Sequence, residues 1–426
     1  MDPEVSLEVE FGGLKLDNPV IVSSSHFTGY EYPLKKCIEQ RPGAIVLWSS
    51  WTQKDLKTFT GKTKREDVTM RPSWAEAPGK SNFHNLPSGL GATPEATAEI
   101  IVRLKKETDI PMIGSAIAGS IETYVETAKI LEQAGVDAFE IDLCPQPMIE
   151  DSGQIIGAEV VRSTDIIDKL VRRVKEAVNI PVGIKGPPDP IFPDMFAKAA
   201  FSAGADWVHP IMFAGAVPEV DIDTGKPLLI CADGETGTGG PMWKPFVLRG
   251  VNASARALDC TENHITASGG VMGWRDVIEY IMYGCTTVQL CWVLSRKGYD
   301  AIGEIIDGLT LYCIQKDMKN ITDIRGLTQQ YQVSLETIMA FSEQTKGEII
   351  AEVDADKCSL CGICVDPCFH GAIELKSHKL VIHKDKCDGC GLCIISCPRD
   401  AIKMLNVDKF LDMYLKRELN KPQTIK

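Results

Sequence analysis

Eight cysteines near one end of this chain fall into two identical runs, and no other feature restricts the fold so sharply. Cys358, Cys361, Cys364 and Cys368 are spaced C-x2-C-x2-C-x3-C, and Cys387, Cys390, Cys393 and Cys397 repeat that spacing ahead of Pro398. Such a loop lets three thiolates reach three irons of one 4Fe–4S cube, while the fourth crosses to the other cube. The spacing therefore assigns Cys358, Cys361, Cys364 and Cys397 to cluster one, and Cys387, Cys390, Cys393 and Cys368 to cluster two. Gly362, Gly389 and Gly391 keep the loops small enough for backbone amides to approach cluster sulfurs. Paired C-x2-C motifs also hold zinc, but two matching four-cysteine runs suit two cubes far better. Phe369 stands where a proline usually follows the fourth cysteine, with Pro367 just before Cys368. Each run leads into a short alternating stretch, 372–375 and 401–404, expected as a pair of pseudo-symmetric strands.

The chain has 426 residues, which suits two or three domains, and 44% of them are apolar, enough for a sizeable core. Its formal net charge is −13, with no run of Lys or Arg. Nucleic acid and anionic membrane surfaces both demand clustered cations, so neither is an expected partner. No stretch has the roughly 18 apolar residues of a membrane span. The start, Met1-Asp2-Pro3-Glu4, carries no secretory pattern. The 15 cysteines then read as thiols and metal ligands in a reducing cytoplasm rather than as disulfides.

Ahead of the cysteine runs, eight short apolar stretches alternate with amphipathic ones. The strand candidates are 20–24, 44–49, 111–117, 138–143, 181–185, 207–212, 264–268 and 287–292, largely continuous and apolar, as parallel strands buried on both faces should be. Helix candidates such as 94–106, 121–134, 165–177, 193–203 and 274–283 lie between them. Several end in a glycine stop, at Gly135, Gly204 and Gly284. Eight such units over about 300 residues match a (β/α)8 TIM barrel; a doubly wound open sheet is the alternative. The expected α/β order is a barrel over 1–312, a helical linker over 313–352, a two-cluster ferredoxin-like domain over 353–405 and a helical tail over 406–426. Residues 5–16, turning at Gly12-Gly13, read as a hairpin before the first barrel strand.

In such barrels the chemistry sits at the C-terminal ends of the strands, with phosphate after strands seven and eight. Ser268-Gly269-Gly270 ends strand seven just before a helix, offering bare amides to a phosphate. Lys185 ends an apolar strand, where an unpaired ammonium would be costly. Taken in order, Leu14-Lys15-Leu16-Asp17-Asn18-Pro19-Val20, Asn85, Glu140-Ile141-Asp142-Leu143-Cys144-Pro145, Ile184-Lys185, Gly239-Gly240, Ser268-Gly269-Gly270-Val271 and Val288-Gln289-Leu290-Cys291 resemble the dihydroorotate dehydrogenase superfamily. With the cysteine-rich end, the resemblance is to the FMN and iron–sulfur part of dihydropyrimidine dehydrogenases. It implies that Ser23, Ser24, Ser49 and Ser50 lie near FMN, and that Asn85 and Asp142 line the flavin and substrate pocket. Lys185 would face the pyrimidine end of the flavin ring. Gly239, Gly240, Ser268, Gly269, Gly270, Cys291 and Trp292 would hold the ribityl phosphate. Cys144 would exchange a proton with the substrate; a thiol near pKa 8.5 can do so close to neutrality. Alternatively, Cys144 is an inert thiol and Lys185 a structural ion-pair partner. Cys37, Cys231, Cys260, Cys285 and Cys313 read as core or surface thiols. His26 and His209 fall at strand ends facing the expected pocket.

Three departures from that family bear on substrate. Trp48-Ser49-Ser50-Trp51 replaces a Lys-Thr pair, and Asn-Leu-Ser-Cys-Pro is shortened to Asp142-Leu143-Cys144-Pro145. Met212-Phe213 replaces an Asn-Thr pair that reads the pyrimidine ring, with His209-Pro210 just before. His209, Met212, Phe213 and Asn85 are thus the expected substrate contacts, and a pyrimidine would leave polar groups unpaired there. No GxGxxG follows a strand, since Met242 breaks the pattern begun at Gly237, so no nicotinamide site is expected. The expected function is an FMN-dependent oxidoreductase acting on an activated C=C bond, its clusters exchanging electrons with an NAD(P)H-dependent flavoprotein subunit or a ferredoxin. A scaffold subunit with a non-catalytic barrel is the alternative.

Overall fold

The computed structural model describes residues 5–52, 83–84, 92–143, 148–149, 155–156, 163–187, 192–211, 214–217, 219–227, 236–332, 334–336, 339 and 347–408. Asn85, Cys144, Met212, Phe213, Cys231 and most of the expected tail helix lie outside them. The chain divides into two compact units, Met1–Gln329 and Gln330–Lys426.

In the first unit eight parallel strands close into a barrel: β1 (Val20–Val22), β2 (Ala44–Val46), β3 (Met112–Ala116), β4 (Ala138–Asp142), β5 (Val182–Lys185), β6 (Trp207–His209), β7 (His264–Ser268) and β8 (Thr287–Leu290). All eight consist almost wholly of buried residues, which is why they read as apolar runs. Each strand is followed by a helix: α1 (Glu31–Glu39), α2 (Pro94–Leu104), α3 (Ile121–Ala134), α4 (Thr164–Lys175), α5 (Pro193–Ser202), α6 (Lys244–Ala257), α7 (Trp274–Met282) and α8 (Trp292–Lys297), with α9 (Ala301–Gln315) after the last. Their boundaries have local causes. Ser120 and Thr123 form a capping box at the start of α3, and Gly135 ends it in the left-handed region at φ 97°.

The hairpin Val9–Phe11/Leu14–Leu16 plugs one end of the barrel, with Phe11 5.0 Å from the fully buried Trp207. Cys313, Ile321 and Ile324 join the same core, and Ser6 bridges to Asn320. The barrel unit therefore runs past residue 312, and the first part of the expected linker packs against it. At the opposite end, Phe83–His84 from the β2–α2 loop pairs with Thr236–Thr238, which pairs with Ala214–Ala216. Two crossing loops thus form a small antiparallel sheet beside the strand ends.

In the second unit β9 (Ala351–Val353) pairs with β12 (Ile402–Met404), and β10 (Ile373–Lys376) with β11 (Lys379–Ile382), both antiparallel. The first cysteine loop precedes β10, and the second, with the one-turn helix α10 (Leu392–Ile395), precedes β12. Its small core is Ala351, Ile373, Ile402, Cys364 and Cys393.

Candidate functional site

Strand alternation decides which side chains meet inside the barrel. Residues two apart share a face, so Glu140 with Asp142, Gly183 with Lys185, and Trp207 with His209 point the same way. The register sets Asp142, Lys185 and His209 side by side at the strand ends, with Glu140, Gly183 and Trp207 one row below. In the lower row Glu140 Oε2 accepts the Trp207 indole N–H at 3.2 Å and a Gln289 amide N–H at 3.1 Å. Gln289 Oε1 in turn accepts the Ser23 hydroxyl at 3.0 Å. The two bonds of Glu140 join non-neighbouring strands, so they cross the barrel interior, while Ser23 at the end of β1 and Gln289 on β8 belong to paired neighbours. Gly183 makes room for the indole: a Cβ there would lie 1.9 Å from Trp207.

The upper row carries the charge. Lys185 Nζ lies 3.6 Å from Asp142 Oδ2, and both side chains are buried. The same carboxylate oxygen accepts the Ser49 hydroxyl at 2.7 Å. Ser49 also meets Ser115 at 2.9 Å and Ser24 at 3.0 Å, so two further hydroxyls from neighbouring strand ends hold the one that bonds Asp142. His209 Nε2 accepts the Ser268 backbone N–H at 3.0 Å, which leaves the ring proton on Nδ1. Burial, with the Lys185 charge second, holds this imidazole well below its usual pKa. Burial likewise raises the Glu140 carboxyl, against the opposing pull of Lys185. Burial raises the Cys291 thiol too, with Ser25 and Lys185 pulling it back.

Glu140, Gln289 and Ser115 had no assigned role in the sequence reading. Two carboxylates alternating in an otherwise apolar strand were the visible signal, because charged side chains in a buried strand need partners. Ser50 is a correction: its hydroxyl meets Thr97 on α2 at 3.0 Å, so it serves the barrel wall rather than the pocket. His26 packs against Phe27 in a tilted ring pair, with centroids 4.1 Å apart. Cys37, Cys260, Cys285 and Cys313 are buried, and burial raises each thiol.

On the side where the resemblance implies a phosphate, three loops converge. Gly240, at φ 79°, abuts the Trp292 indole, and Gly270, at φ 71°, packs on the Lys244 backbone. A Cβ on Gly270 would come 2.6 Å from Lys244 Cβ, so the loop admits only glycine. Ser268 corrects the expectation, since its amide is committed to His209. The Met272 and Gly273 amides are taken too, by Asp276 Oδ2 at 2.8 and 3.0 Å. The amides of Gly239, Gly240, Gly269 and Gly270 are what this corner offers a phosphate.

In the second unit Cys358, Cys361, Cys364 and Cys397 line one cavity with Leu380, Pro398 and Ile402. Three ligands of the first run thus meet the last cysteine of the second, as cross-ligation requires. Backbone amides donate to thiol sulfurs, Ala372 to Cys368 and Ala401 to Cys397 at 3.3 Å, and Ala351 to Cys387 at 3.4 Å.

The barrel suits FMN on its own evidence. Glu140 Oε1 and Asp142 Oδ1 are buried without a hydrogen-bond partner among the described residues, beside a buried ammonium and a glycine-lined corner. Such atoms call for a polar ligand. Fold and site together define a flavin-dependent, iron–sulfur oxidoreductase built on a TIM barrel. The chain belongs to the dihydroorotate dehydrogenase family, whose pattern matches residues 83–312. Two 4Fe–4S binding domains match 351–374 and 380–403. Its cofactors are FMN and two 4Fe–4S clusters. The NAD-dependent dihydropyrimidine dehydrogenase subunit PreA of Escherichia coli is 25% identical over 86% of this chain and 86% of its own length. The catalytic subunit of dihydroorotate dehydrogenase B (NAD(+)) from Pyrococcus furiosus is 28% identical over 76% of this chain and all of its own. No described helix is long and apolar enough to cross a membrane.

Proposed function

We propose that the chain is the catalytic subunit of a complex that reduces, or forms, an activated C=C bond of a small cyclic substrate. The observation that carries this is the buried Asp142–Lys185–His209 row at the strand ends, in a chain that also bears two cluster motifs. Bound FMN supplies hydride transfer and can pass electrons on singly. Lys185, with Asp142 beside it, sets the charge at the mouth of the barrel. Ser49, held by Ser24 and Ser115, fixes Asp142, and His209 locks the start of the Ser268-Gly269-Gly270 loop. Cys144, two residues beyond Asp142, would give a proton to, or take it from, the substrate carbon next to the one exchanging hydride.

The substrate differs from orotate, uracil and thymine, because Met212-Phe213 stands where an amide and a hydroxyl would read a pyrimidine. The relatives' names favour a pyrimidine, and that second reading is directly testable. Efficient turnover of dihydrouracil or dihydroorotate by the purified protein would sink the non-pyrimidine assignment. Electrons come from or go to a separate partner, an NAD(P)H-dependent flavoprotein subunit or a ferredoxin. Consistent with this, the PreA relative is itself named as a subunit. NADH or NADPH alone should leave the flavin and clusters oxidised, whereas adding a nicotinamide-dependent flavoprotein should reduce them; direct reduction would place a nicotinamide site in this chain. Screening unsaturated ring compounds for reoxidation of the reduced flavin then identifies the substrate.

A further inference from the structure

The row at the strand ends holds an ammonium and a carboxylate where a flavin-facing lysine alone would present a positive charge. Lys185 and Asp142 are register partners on neighbouring strands, 3.6 Å apart and both buried. Ser49 fixes the carboxylate oxygen nearest the lysine at 2.7 Å, and Ser49 is in turn held by Ser24 and Ser115. One hydroxyl, itself held by two others, thus keeps this acidic side chain in place. Glu140 is the other candidate counter-charge, but it sits one row deeper and is engaged by the Trp207 and Gln289 N–H groups. Burial also pushes it towards its neutral form.

We propose that Asp142 is a positioning residue for the flavin: as the fixed counter-ion of Lys185 it cancels the charge that would stabilise the reduced, anionic ring, and so holds the flavin at a low reduction potential. This rests on the reading that FMN lies against the Asp142–Lys185 row. Reduced flavin gains a negative charge at the ring end an ammonium would face, and a buried, unscreened charge acts strongly at such distances. A lysine paired in advance contributes less to that stabilisation. A flavin kept low suits a weakly activated C=C bond, and it can still exchange electrons with clusters, whose potentials extend well below zero.

The test is an anaerobic redox titration of the FMN-loaded, cluster-containing protein. Asp142→Asn keeps the shape and removes the charge, and Asp142→Ser removes it by a second route should the first fold poorly. Each should raise the reduced-to-oxidised flavin ratio at fixed ambient potential at least tenfold, about 30 mV for a two-electron couple. Glu140→Gln should shift the ratio by less than threefold. Unchanged flavin potential in both Asp142 variants, with cluster signals intact, overturns the proposal. A rise in Glu140→Gln equal to that in Asp142→Asn overturns the assignment to Asp142. Wild-type protein that takes up no FMN after reconstitution would remove the flavin site itself, and the counter-ion role with it.

Discussion

Cys144 and His209 make opposite demands on experiment. If Cys144 is the proton-transfer group, Cys144→Ala should slow substrate-dependent flavin turnover by about 10²- to 10⁴-fold. Dithionite reduction of the clusters should be unaffected, and stopped-flow absorbance separates the two. Turnover equal to wild type would leave the thiol without an acid/base role. His209 is instead a structural titrator. Its pKa in the fold lies well below the ordinary 6.5, so below pH 6.5 the unfolded chain binds a proton that the folded chain refuses. Stability present above pH 6.5 is therefore lost as pH falls from there towards the folded pKa, at up to about 1.4 kcal/mol per pH unit for this one group. His209→Asn should flatten that part of the profile relative to wild type, as read by barrel tryptophan fluorescence in urea at pH 7.5 and 5.5. An unchanged slope would mean that His209 is not the group responsible. At this scale the sequence revealed which residues carry charge in buried strands, but not their partners. Ser268 looked like a phosphate donor until His209 was seen to use its amide. Ser50 looked like Ser49, yet one step along a strand turns a side chain to the opposite face.

The strand-and-helix rhythm was legible because each buried parallel strand must be a short apolar run, and each helix must stop before the next. The hairpin was legible from Gly12-Gly13. The sheet joining Phe83–His84 to Thr236–Thr238 was not, since pairing between distant loops leaves no local periodicity. Glycine usage connects elements to function most directly at Gly270. Gly270→Ala would force a Cβ onto Lys244 in a left-handed backbone, costing about 1–3 kcal/mol locally. The variant should lose FMN on gel filtration while keeping its iron, so the flavin-to-iron ratio falls; an unchanged ratio would move the phosphate elsewhere. The cysteine loops allow a sharper prediction. Cys397 belongs to the second run but shares a cavity with Cys358, Cys361 and Cys364. Cys397→Ser and Cys358→Ser should therefore lose the same cluster and give matching electron paramagnetic resonance spectra, with Cys393→Ser giving a different one. Matching spectra for Cys397→Ser and Cys393→Ser would mean that each run closes its own cube.

A barrel that can take electrons two at a time and a module that can only pass them singly make sense in one chain only if the flavin stands between substrate and clusters. An iron–sulfur module alone says that electrons pass; on the proposed reading, the buried Asp142–Lys185 row beside a glycine-lined corner is where they enter or leave organic chemistry. The proposed relay has a definite order, and removing either cofactor should expose it. Anaerobically purified protein should carry about one FMN and about eight irons per chain. Stripped of flavin, it should still accept electrons from dithionite into the clusters, yet no substrate should oxidise or reduce them. Stripped of iron by chelation, it should still exchange two electrons between flavin and substrate in a single turnover, but it should not sustain turnover with a one-electron carrier. Cluster reduction by substrate in the flavin-free protein would place the chemistry outside the barrel. Undiminished turnover with a one-electron carrier in the iron-free protein would make the second unit dispensable for the relay. The charge at the barrel mouth then decides how far the relay can push. If Asp142 neutralises Lys185 as proposed, electrons held on the flavin lie at low potential, within reach of both a weakly activated bond and the clusters.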